Sequence, residues 1–385
     1  MTARGRVLLA ISLAALVAGM SLGGRMFYLT ALFGVLVLLY AYISVLLSRL
    51  KMRIDCTLQE ERIPRGESTE LTLTVSRRAL FPVYPLDLTL VSGKDVFTIS
   101  TYPAYLKETA LSLPIPARHV GVHPVGVTEY IFYDMFGLFR ARVRCKSSDL
   151  CHLMVFPRPF EVDPLRFLQA DDGPTRQNRT HEDLSFPEDT RTYRAGDPLK
   201  RVHWKLSARR RELIVRKFET PAPPDTLILL DCTLPGSPED SEDVRATLRD
   251  ALCETALSVA EMQSRNAHPV RVPLYSSGQA HEFHTDNAEN IAYLKELLAC
   301  QPFMGGVAFA RVLHMELRRM RSTGATVIIT SRLDAGVVEG VKHIRQMGPN
   351  ARVYLITRTP DAPQDRPYVA QLQQCLVEVC YVTPA

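Results

Sequence analysis

The chain has 385 residues, a formal net charge of +5 and 46% hydrophobic residues. This length exceeds that of one ordinary domain, so two or three domains are expected. The mild basicity falls short of the charge typical of nucleic-acid-binding proteins, and no nucleic-acid partner is expected. The eight cysteines show no CxxC or paired zinc spacing. Several lie in apolar runs, which favours reduced thiols in a reducing compartment, with disulfides as the alternative.

The chain opens with two uncharged, apolar segments, Val7–Leu22 and Met26–Leu47, which are separated by Gly23-Gly24-Arg25. A membrane-spanning helix needs about 20 apolar residues, and about 17 can suffice. Residues 1–50 are therefore predicted to form a transmembrane helical hairpin. A cleaved signal peptide over residues 1–20 is the alternative.

Basic residues flank the hairpin on both outer sides: Arg4 and Arg6 precede it, and Arg49, Lys51 and Arg53 follow it. The positive-inside rule then places both ends in the cytoplasm. The charges after Leu47 keep the rest of the chain on that side even if the first segment is cleaved. We expect a protein of the cytoplasmic membrane with two spans and cytoplasmic soluble domains.

Residues 51–157 have the pattern of a β-domain. Glu70–Val75 alternates strictly between polar and apolar residues, and further strand-sized segments are separated by Pro and Gly. This pattern predicts a β-sandwich of immunoglobulin-like type. His119 and His123 are four residues apart, but the surrounding Gly and Pro argue against a shared helical face and a metal site. Residues 158–187 are polar and predicted to be a linker.

Residues 188–220 contain the densest basic segment and the single tryptophan, Trp204. Between Asp189 and Glu219 there are ten Lys/Arg and four acidic residues. Asp197 suits a helix N-cap and Pro198 a first helical turn, which predicts a helix from Pro198 to about Arg210. A short strand around Leu213 to Phe218 is predicted to follow.

This segment also carries a family resemblance. The pattern Arg191-x-Tyr193-x-x-Gly196-Asp197-x-x-Arg201-Val202-His203-Trp204-Lys205-x-Ser207-Ala208-Arg209, followed by Leu213-x-Val215 and Phe218-Glu219, resembles the signature of the bacterial domain-of-unknown-function 58 family. Arg118-x-x-Gly121-Val122-x-Pro124-Val125-Gly126 and Asp134-x-Phe136-Gly137-Leu138-Phe139 resemble an earlier segment of that family, with Met135 where the family usually has Pro. The resemblance implies a membrane-tethered protein with a von Willebrand factor A-like domain. It also implies a MoxR-type AAA+ ATPase as partner.

Residues 221–385 alternate between strand and helix patterns. Thr226–Asp231 is a continuous apolar run that ends in an acid, and Ser241–Gln263 has an apolar helical stripe. The alternation predicts a doubly wound α/β sheet, whose ligand sites lie beyond the carboxyl ends of the strands. The whole chain is thus expected to be a multidomain α+β protein: a transmembrane hairpin, a sandwich and an α/β domain similar to von Willebrand factor A.

Asp231 ends the first strand of this domain. In von Willebrand factor A domains a D-x-S-x-S loop at this point binds Mg²⁺, which prefers octahedral oxygen ligands. Thr233 can replace the first Ser, but Pro235 supplies no side-chain oxygen. Val307 stands after Gly305-Gly306, where the resemblance would place a ligand Thr, and Arg332 follows a later strand. We therefore expect a degenerate site around Asp231 and Thr233, with no metal or other cofactor.

The sequence contains none of the motifs GxxxxGK[ST], GxSxG, HExxH or GxGxxG, so no enzyme is predicted. The expected function is a membrane-anchored adaptor. Three interpretations of the basic segment remain open: a solvated face with structural ion pairs, a partner-docking surface, and a surface for anionic lipid or nucleic acid. The runner-up function is an enzyme that acts on an anionic substrate through Asp197, His203 and nearby arginines. The oligomeric state stays open. The candidate binding residues are Arg191, Tyr193, Gly196, Asp197, Arg201, His203, Trp204, Lys205 and Arg209.

Overall fold

The structure is a computed structural model, which describes the chain outside residues 78–82, 103–107, 166–186, 194–201, 219–224, 238, 267, 277–278, 286–289, 304–306, 321–322, 348, 361 and 385. The described part is a mixed α/β protein with eight α-helices, two of which form an apolar N-terminal hairpin. Most of the predicted linker lies outside the described residues.

The hairpin consists of α1 (Ala3–Leu22) and α2 (Arg25–Lys51). Both helices are long and apolar enough to cross a membrane, with mean hydropathies of 1.9 and 2.3. Gly23 adopts φ +70° and ends α1, a conformation that glycine tolerates without steric cost. Small residues let the helices approach closely: a Cβ on Gly34 would collide with the hydroxyl of Ser12.

The β-domain follows directly, because α2 ends where the first strand begins. It has two sheets: β1-β3-β6, and β2-β9-β7-β4-β5 with β8 added on β7. Leu71, Leu73 and Val75 of one sheet and Leu88 and Phe132 of the other share one buried core. The strands are β1 (Met52–Leu58), β2 (Arg62–Pro64), β3 (Ser68–Arg77), β4 (Val83–Ser92), β5 (Asp95–Thr101), β6 (Thr109–Pro116), β7 (Gly121–Asp134), β8 (Arg140–Arg144) and β9 (Cys151–Phe156).

A small unit joins the β-domain to the α/β domain in sequence. It contains β10 (Pro187–Thr192), α3 (Trp204–Arg210) and β11 (Ile214–Phe218). β10 and β11 pair antiparallel, with Arg191 opposite Val215. Val202 forms an isolated bridge to the same Val215, so it is extended and not helical.

The α/β domain has a six-stranded sheet in the order β14-β13-β12-β15-β16-β17, parallel except for β14. Its two faces bury separate cores, one beneath α4 and α5 and one beneath α6 to α8. The elements are β12 (Asp225–Leu230), α4 (Glu242–Arg265), β13 (Val270–Ser276), β14 (Gln279–Thr285), α5 (Ile291–Cys300), α6 (Phe309–Leu317), β15 (Thr323–Thr330), α7 (Ala335–Gln346), β16 (Asn350–Ile356), α8 (Arg366–Gln374) and β17 (Glu378–Val382).

The alternation of strands and helices in this domain agrees with the prediction. His281 and His284 lie in the antiparallel edge strand β14. Helix α8 was not predicted, because its sequence is mostly polar and only Val369 and Leu372 are buried.

Candidate docking surface, strand-end site and domain junction

The signature helix is shorter than the sequence predicted. The predicted helix ran from Pro198, with Asp197 as N-cap, but α3 begins at Trp204. Its N-cap is His203, whose Nδ1 accepts a hydrogen bond from the Leu206 N–H at 3.3 Å. Val202, the residue before His203, forms a β-bridge to Val215. Its backbone is therefore extended, so Val202 cannot belong to the helix. Gly196, Asp197 and Arg201 lie outside the described residues.

Ser207 fixes α3 onto β11. Its hydroxyl is buried, accepts from the Ile214 N–H at 2.9 Å and donates to the Ile214 carbonyl at 3.4 Å. The His203 N–H donates to the same carbonyl at 2.8 Å. Arg211, with φ +58°, ends the helix. These bonds set which face of α3 points outward.

That outward face carries the tryptophan. Trp204 is 62% exposed, and Lys205 and Arg209 are exposed beside it on the same short helix. Tyr193 is half-buried, and its N–H donates to the Leu213 carbonyl at 2.8 Å. Arg191 is placed only by its backbone in β10. Trp204, Lys205 and Arg209, together with exposed Arg210 and Arg211, are called the signature face below.

Asp231 lies at the carboxyl end of β12, as predicted, and is buried. Its Oδ1 accepts from the Thr233 N–H at 3.0 Å and from the Thr233 hydroxyl at 2.7 Å. Its Oδ2 accepts from the Thr330 hydroxyl at 2.7 Å. Arg332 is exposed, and its N–H donates to the Thr330 hydroxyl. Both carboxylate oxygens are thus bonded to hydroxyls from two strand ends. Gly305 and Gly306 lie outside the described residues.

The β-domain and α4 meet at a charged junction that was not predicted from the sequence. Asp250 of α4 is fully buried and accepts from the Val120 N–H at 2.9 Å, with His119 Nδ1 at 2.8 Å and Arg65 Nε at 3.4 Å. Arg65 also binds Glu254, one turn further along α4, at 3.0 Å. Such a carboxylate remains stable in the interior only with this degree of pairing.

The junction also contains an apolar contact, and two cavities lie next to it. Val120 leaves the β-domain and is buried in the core beneath α4. Two cavities lie beside the junction, of about 780 Å³ and about 520 Å³. His123 borders the smaller one, and its Nε2–H donates to the His119 carbonyl at 2.7 Å. Burial lowers the pKa of His123. His119 and His123 thus both take part in the hydrogen bonds at the junction.

The described residues contain no cluster of three or more His, Cys, Asp or Glu with the geometry of a metal site. They do define a multidomain protein in which an apolar helical hairpin carries a β-domain joined to an α/β domain. Residues 189–356 match the family described as "Protein of unknown function DUF58", which shows that family over this part of the chain. The match begins two residues before Arg191 and ends with β16.

No curated protein matches the chain. Among solved structures it is similar to Pseudomonas fluorescens alkylpurine DNA glycosylase AlkC bound to DNA containing an abasic site analog, at 12% identity and TM-score 0.16 over 39% of this chain and 45% of that one.

Two further structures cover more of this chain. Cwp6 from Clostridium difficile has 8% identity and TM-score 0.21, with 86% of this chain and 53% of that one covered. The GH20 exo beta-N-acetylglucosaminidase from Vibrio harveyi, in complex with N-acetylglucosamine, has 8% identity and TM-score 0.18, with 84% and 59% covered. The chain spans less than two thirds of each of these three structures. Their overall similarity is too low to carry an argument about fold or function.

Proposed function

We propose that this protein is a non-enzymatic, membrane-anchored adaptor, and that the signature face is its docking surface. The observation that carries the proposal is the exposure of Trp204, 62%, on a helix whose orientation is fixed by buried hydrogen bonds from Ser207. Exposing a large aromatic side chain has no benefit for folding. Trp and Arg are favoured anchors where one protein binds another.

The scaffold behind this surface is, in this proposal, an immunoglobulin-like sandwich followed by a von Willebrand factor A-like domain with a degenerate metal site. The bonding of Asp231 supports the last point. Its carboxylate oxygens are already occupied by the hydroxyls of Thr233 and Thr330, and the exposed Arg332 follows close by. A cation would have to compete with these bonds and with that positive charge.

The proposed partner is an AAA+ ATPase of MoxR type in the cytoplasm. The resemblance of the signature supplies this class of partner, and the basic residues on both outer sides of the hairpin supply the cytoplasmic orientation. The signature face is positive, so we expect it to meet an acidic surface of the ATPase. A cofactor is not needed for this role.

The enzyme alternative has less support. It requires His203 as an acid or base, but Nδ1 of His203 already accepts the Leu206 N–H as a helix cap. Lipid binding by the signature face is the other alternative. It would use the same arginines without needing a protein partner.

The test is a crosslinking pull-down from native membranes with the full chain and the double variant Trp204→Ala/Lys205→Glu. The matched control is Met347→Ala/Arg358→Glu, which removes an equally exposed apolar side chain, 62%, and reverses one exposed basic residue elsewhere. Thermal unfolding of all three proteins is compared first. We expect an AAA+ ATPase with wild type and control, and its loss with the signature variant.

Equal capture of the ATPase by both variants would show that docking lies elsewhere. Turnover of an anionic substrate by the purified protein, abolished by His203→Ala in a folded variant, would replace the adaptor with an enzyme. Binding of anionic vesicles that is lost only in the signature variant, without any ATPase, would favour the lipid alternative.

A further inference from the structure

The turn between β7 and β8 lies against the apolar hairpin. The Thr2 N–H donates to the Leu138 carbonyl at 2.8 Å, and the Thr2 hydroxyl donates to the Gly137 carbonyl at 2.7 Å. Leu138 is buried with Leu38 and Ala41 of α2, and Leu8 of α1 packs against the same cluster. The turn therefore contacts both helices.

The register of the hairpin gives the depth of these contacts. Gly34 meets Ser12, and Gly19 meets Phe27 and Tyr28, so the two helices run antiparallel with their residues level in pairs. By this register Arg4 is level with Tyr42. The same register places Leu8 level with Leu38, one helical turn further into the apolar stretch.

Tyr40 and Tyr42 mark a boundary along α2. Tyr and Arg are the side chains that favour the interface between hydrocarbon and water, and Arg4 lies at the same level. From Arg25 to Tyr42 the helix is long enough to cross a bilayer of ordinary thickness, near the lower limit of about 17 residues. Beyond this boundary Ser44 and Ser48 of α2 are buried, and Val45 belongs to the core of the β-domain. Helix α2 contacts β4, β7 and β8.

The turn presents exposed apolar side chains at this boundary. Met135 and Phe136 are 58% and 48% exposed. Phe136 lies edge-on to Tyr40, with ring centroids 6.1 Å apart, and Phe139 lies edge-on to Tyr42 at 5.8 Å. The turn is rigid, because the buried carboxylate of Asp134 accepts from the N–H groups of Phe136 and Phe139 at 2.9 and 2.6 Å.

Basic side chains surround the turn. Arg140 begins β8 directly after it and is exposed, and a Cβ on Gly137 would lie 3.7 Å from the Arg4 guanidinium. Arg142 and Arg144, further along β8, share the single acid Glu129. An apolar tip within a basic rim is the arrangement that suits a bilayer surface with anionic headgroups.

From these contacts we propose that the Asp134–Phe139 turn is a second membrane contact: Met135 and Phe136 enter the boundary between headgroups and acyl chains, and Arg4 and Arg140 bind anionic phospholipid headgroups. The proposal rests on the proposed membrane anchoring by the hairpin. Because Leu138 contacts Leu8 and Leu38, a hairpin embedded to the level of those residues must carry the turn to the membrane surface. The contact would hold the β-domain in one orientation on the bilayer.

The test uses the full chain in liposomes and exploits the single tryptophan. In a Trp204→Phe background, one indole is introduced by Phe136→Trp, by Leu36→Trp in the middle of α2, or by Val96→Trp. Val96 is 67% exposed on β5, at the far end of the sheet from the turn. Quenching by phospholipids brominated on their acyl chains and the emission maximum are measured for each.

We expect strong quenching for Leu36→Trp, intermediate quenching with blue-shifted emission for Phe136→Trp, and none for Val96→Trp. Quenching of Leu36→Trp together with solvent-like, unquenched emission of Phe136→Trp would overturn the inference and leave the anchoring intact. If none of the three is quenched, the anchoring itself fails, and the inference fails with it.

The headgroup part is tested by comparing zwitterionic liposomes with liposomes that contain phosphatidylglycerol. Anionic lipid should increase the quenching of Phe136→Trp, and adding Arg140→Glu should remove that increase. Arg358→Glu, a matched exposed charge on the α/β domain, should leave it unchanged. Equal quenching in both lipids, with Arg140 intact, would overturn the assignment of anionic headgroups.

Discussion

At the scale of single residues, burial decides which of the eight free thiols can react. Cys300 is exposed at the end of α5, whereas Cys253 is fully buried. Burial also raises the pKa of Cys232 to about 12, and it raises the pKa of Cys253. The thiolate is the nucleophile, so these two thiols have neither access nor ionisation at neutral pH.

We therefore expect a maleimide to label Cys300 quickly in the folded protein and to spare Cys232 and Cys253. Peptide mapping by mass spectrometry after a short reaction measures this. Cys300→Ser should remove the fast phase of labelling, and Cys232→Ser should not change it. Fast labelling of Cys232 in the native protein would contradict its burial in the core beneath α4 and α5.

Asp250 is the residue on which the domain junction depends most. Asp250→Ala would leave the buried Val120 N–H without its acceptor and Arg65 and His119 without their shared carboxylate. Breaking a buried ion pair from one side costs about 3–5 kcal/mol. Urea unfolding of the full chain, followed by circular dichroism, should show a loss of this order. The control is Glu239→Ala, which removes an exposed acid close to the start of α4 and should change the free energy of unfolding by less than about 0.5 kcal/mol. An equally small change for Asp250→Ala would mean that the junction adds no stability.

At the scale of elements, the hairpin depends on small residues at its contact face. A larger side chain at Gly34 would collide with Ser12 and separate α1 from α2. We expect Gly34→Leu to lower the thermal unfolding temperature of the detergent-solubilised protein by several degrees. Val35→Leu, one position along and 51% exposed, adds similar bulk away from α1 and should have little effect. Equal stability of both variants would show that the helices do not pack through Gly34.

Elements with local signals could be predicted from the sequence, and those set by tertiary contacts could not. Ser241 was expected to start a helix, and its hydroxyl does cap α4 by accepting from the Val244 N–H. The predicted start of the signature helix was wrong. Asp197 and Pro198 are good local start signals, but the bridge of Val202 to Val215 decides where α3 begins. No local pattern announces a contact between positions thirteen residues apart that belong to different elements.

Among the candidate sites, too, those with a local sequence signal could be predicted and those set by tertiary contacts could not. Asp231 was found because a carboxyl terminus of a buried parallel strand is a general location for sites. The exposure of Trp204 was left open by the helical pattern and is set by how Ser207 docks α3 on β11. The junction was missed because its ion pair joins Arg65 to Glu254, which are 189 positions apart. Three charges in the middle of α4, at Arg249, Asp250 and Glu254, were the signal that the sequence offered.

At the scale of the whole molecule, the junction joins the β-domain, which follows the apolar hairpin, to the domain that carries most of the family match. Charged contacts make this connection sensitive to pH. The charged groups that act most strongly on His123 are His119 of the β-domain and Arg249 and Asp250 of α4. The cleft is also lined by the charged residues Lys94, Asp95, Arg118 and Asp243. Burial, the largest cause, holds the pKa of His123 below its usual 6.5, and Arg249 lowers it further.

The sign of the effect follows from proton linkage. A histidine whose folded pKa is depressed binds its proton less readily in the folded state than in the unfolded state. The resulting stability is complete above pH about 6.5 and is lost as the pH falls from there towards the folded pKa. Glu254 works in the opposite direction, because burial raises its pKa above 4.5, so its protonated form is favoured in the folded state.

The decisive comparison is therefore between wild type and His123→Gln at several pH values between about 7.5 and 5.5. The Gln amide can still donate to the His119 carbonyl but does not titrate, and Glu254 is the same in both proteins. We expect the unfolding temperature of wild type to fall more steeply on acidification than that of His123→Gln. His281→Gln, which changes an exposed histidine on β14, should keep the wild-type slope. If the unfolding temperature of His123→Gln falls with pH as steeply as that of wild type, another group binds the destabilising proton. His123 in the cleft between the domains would then not be the cause of the pH dependence.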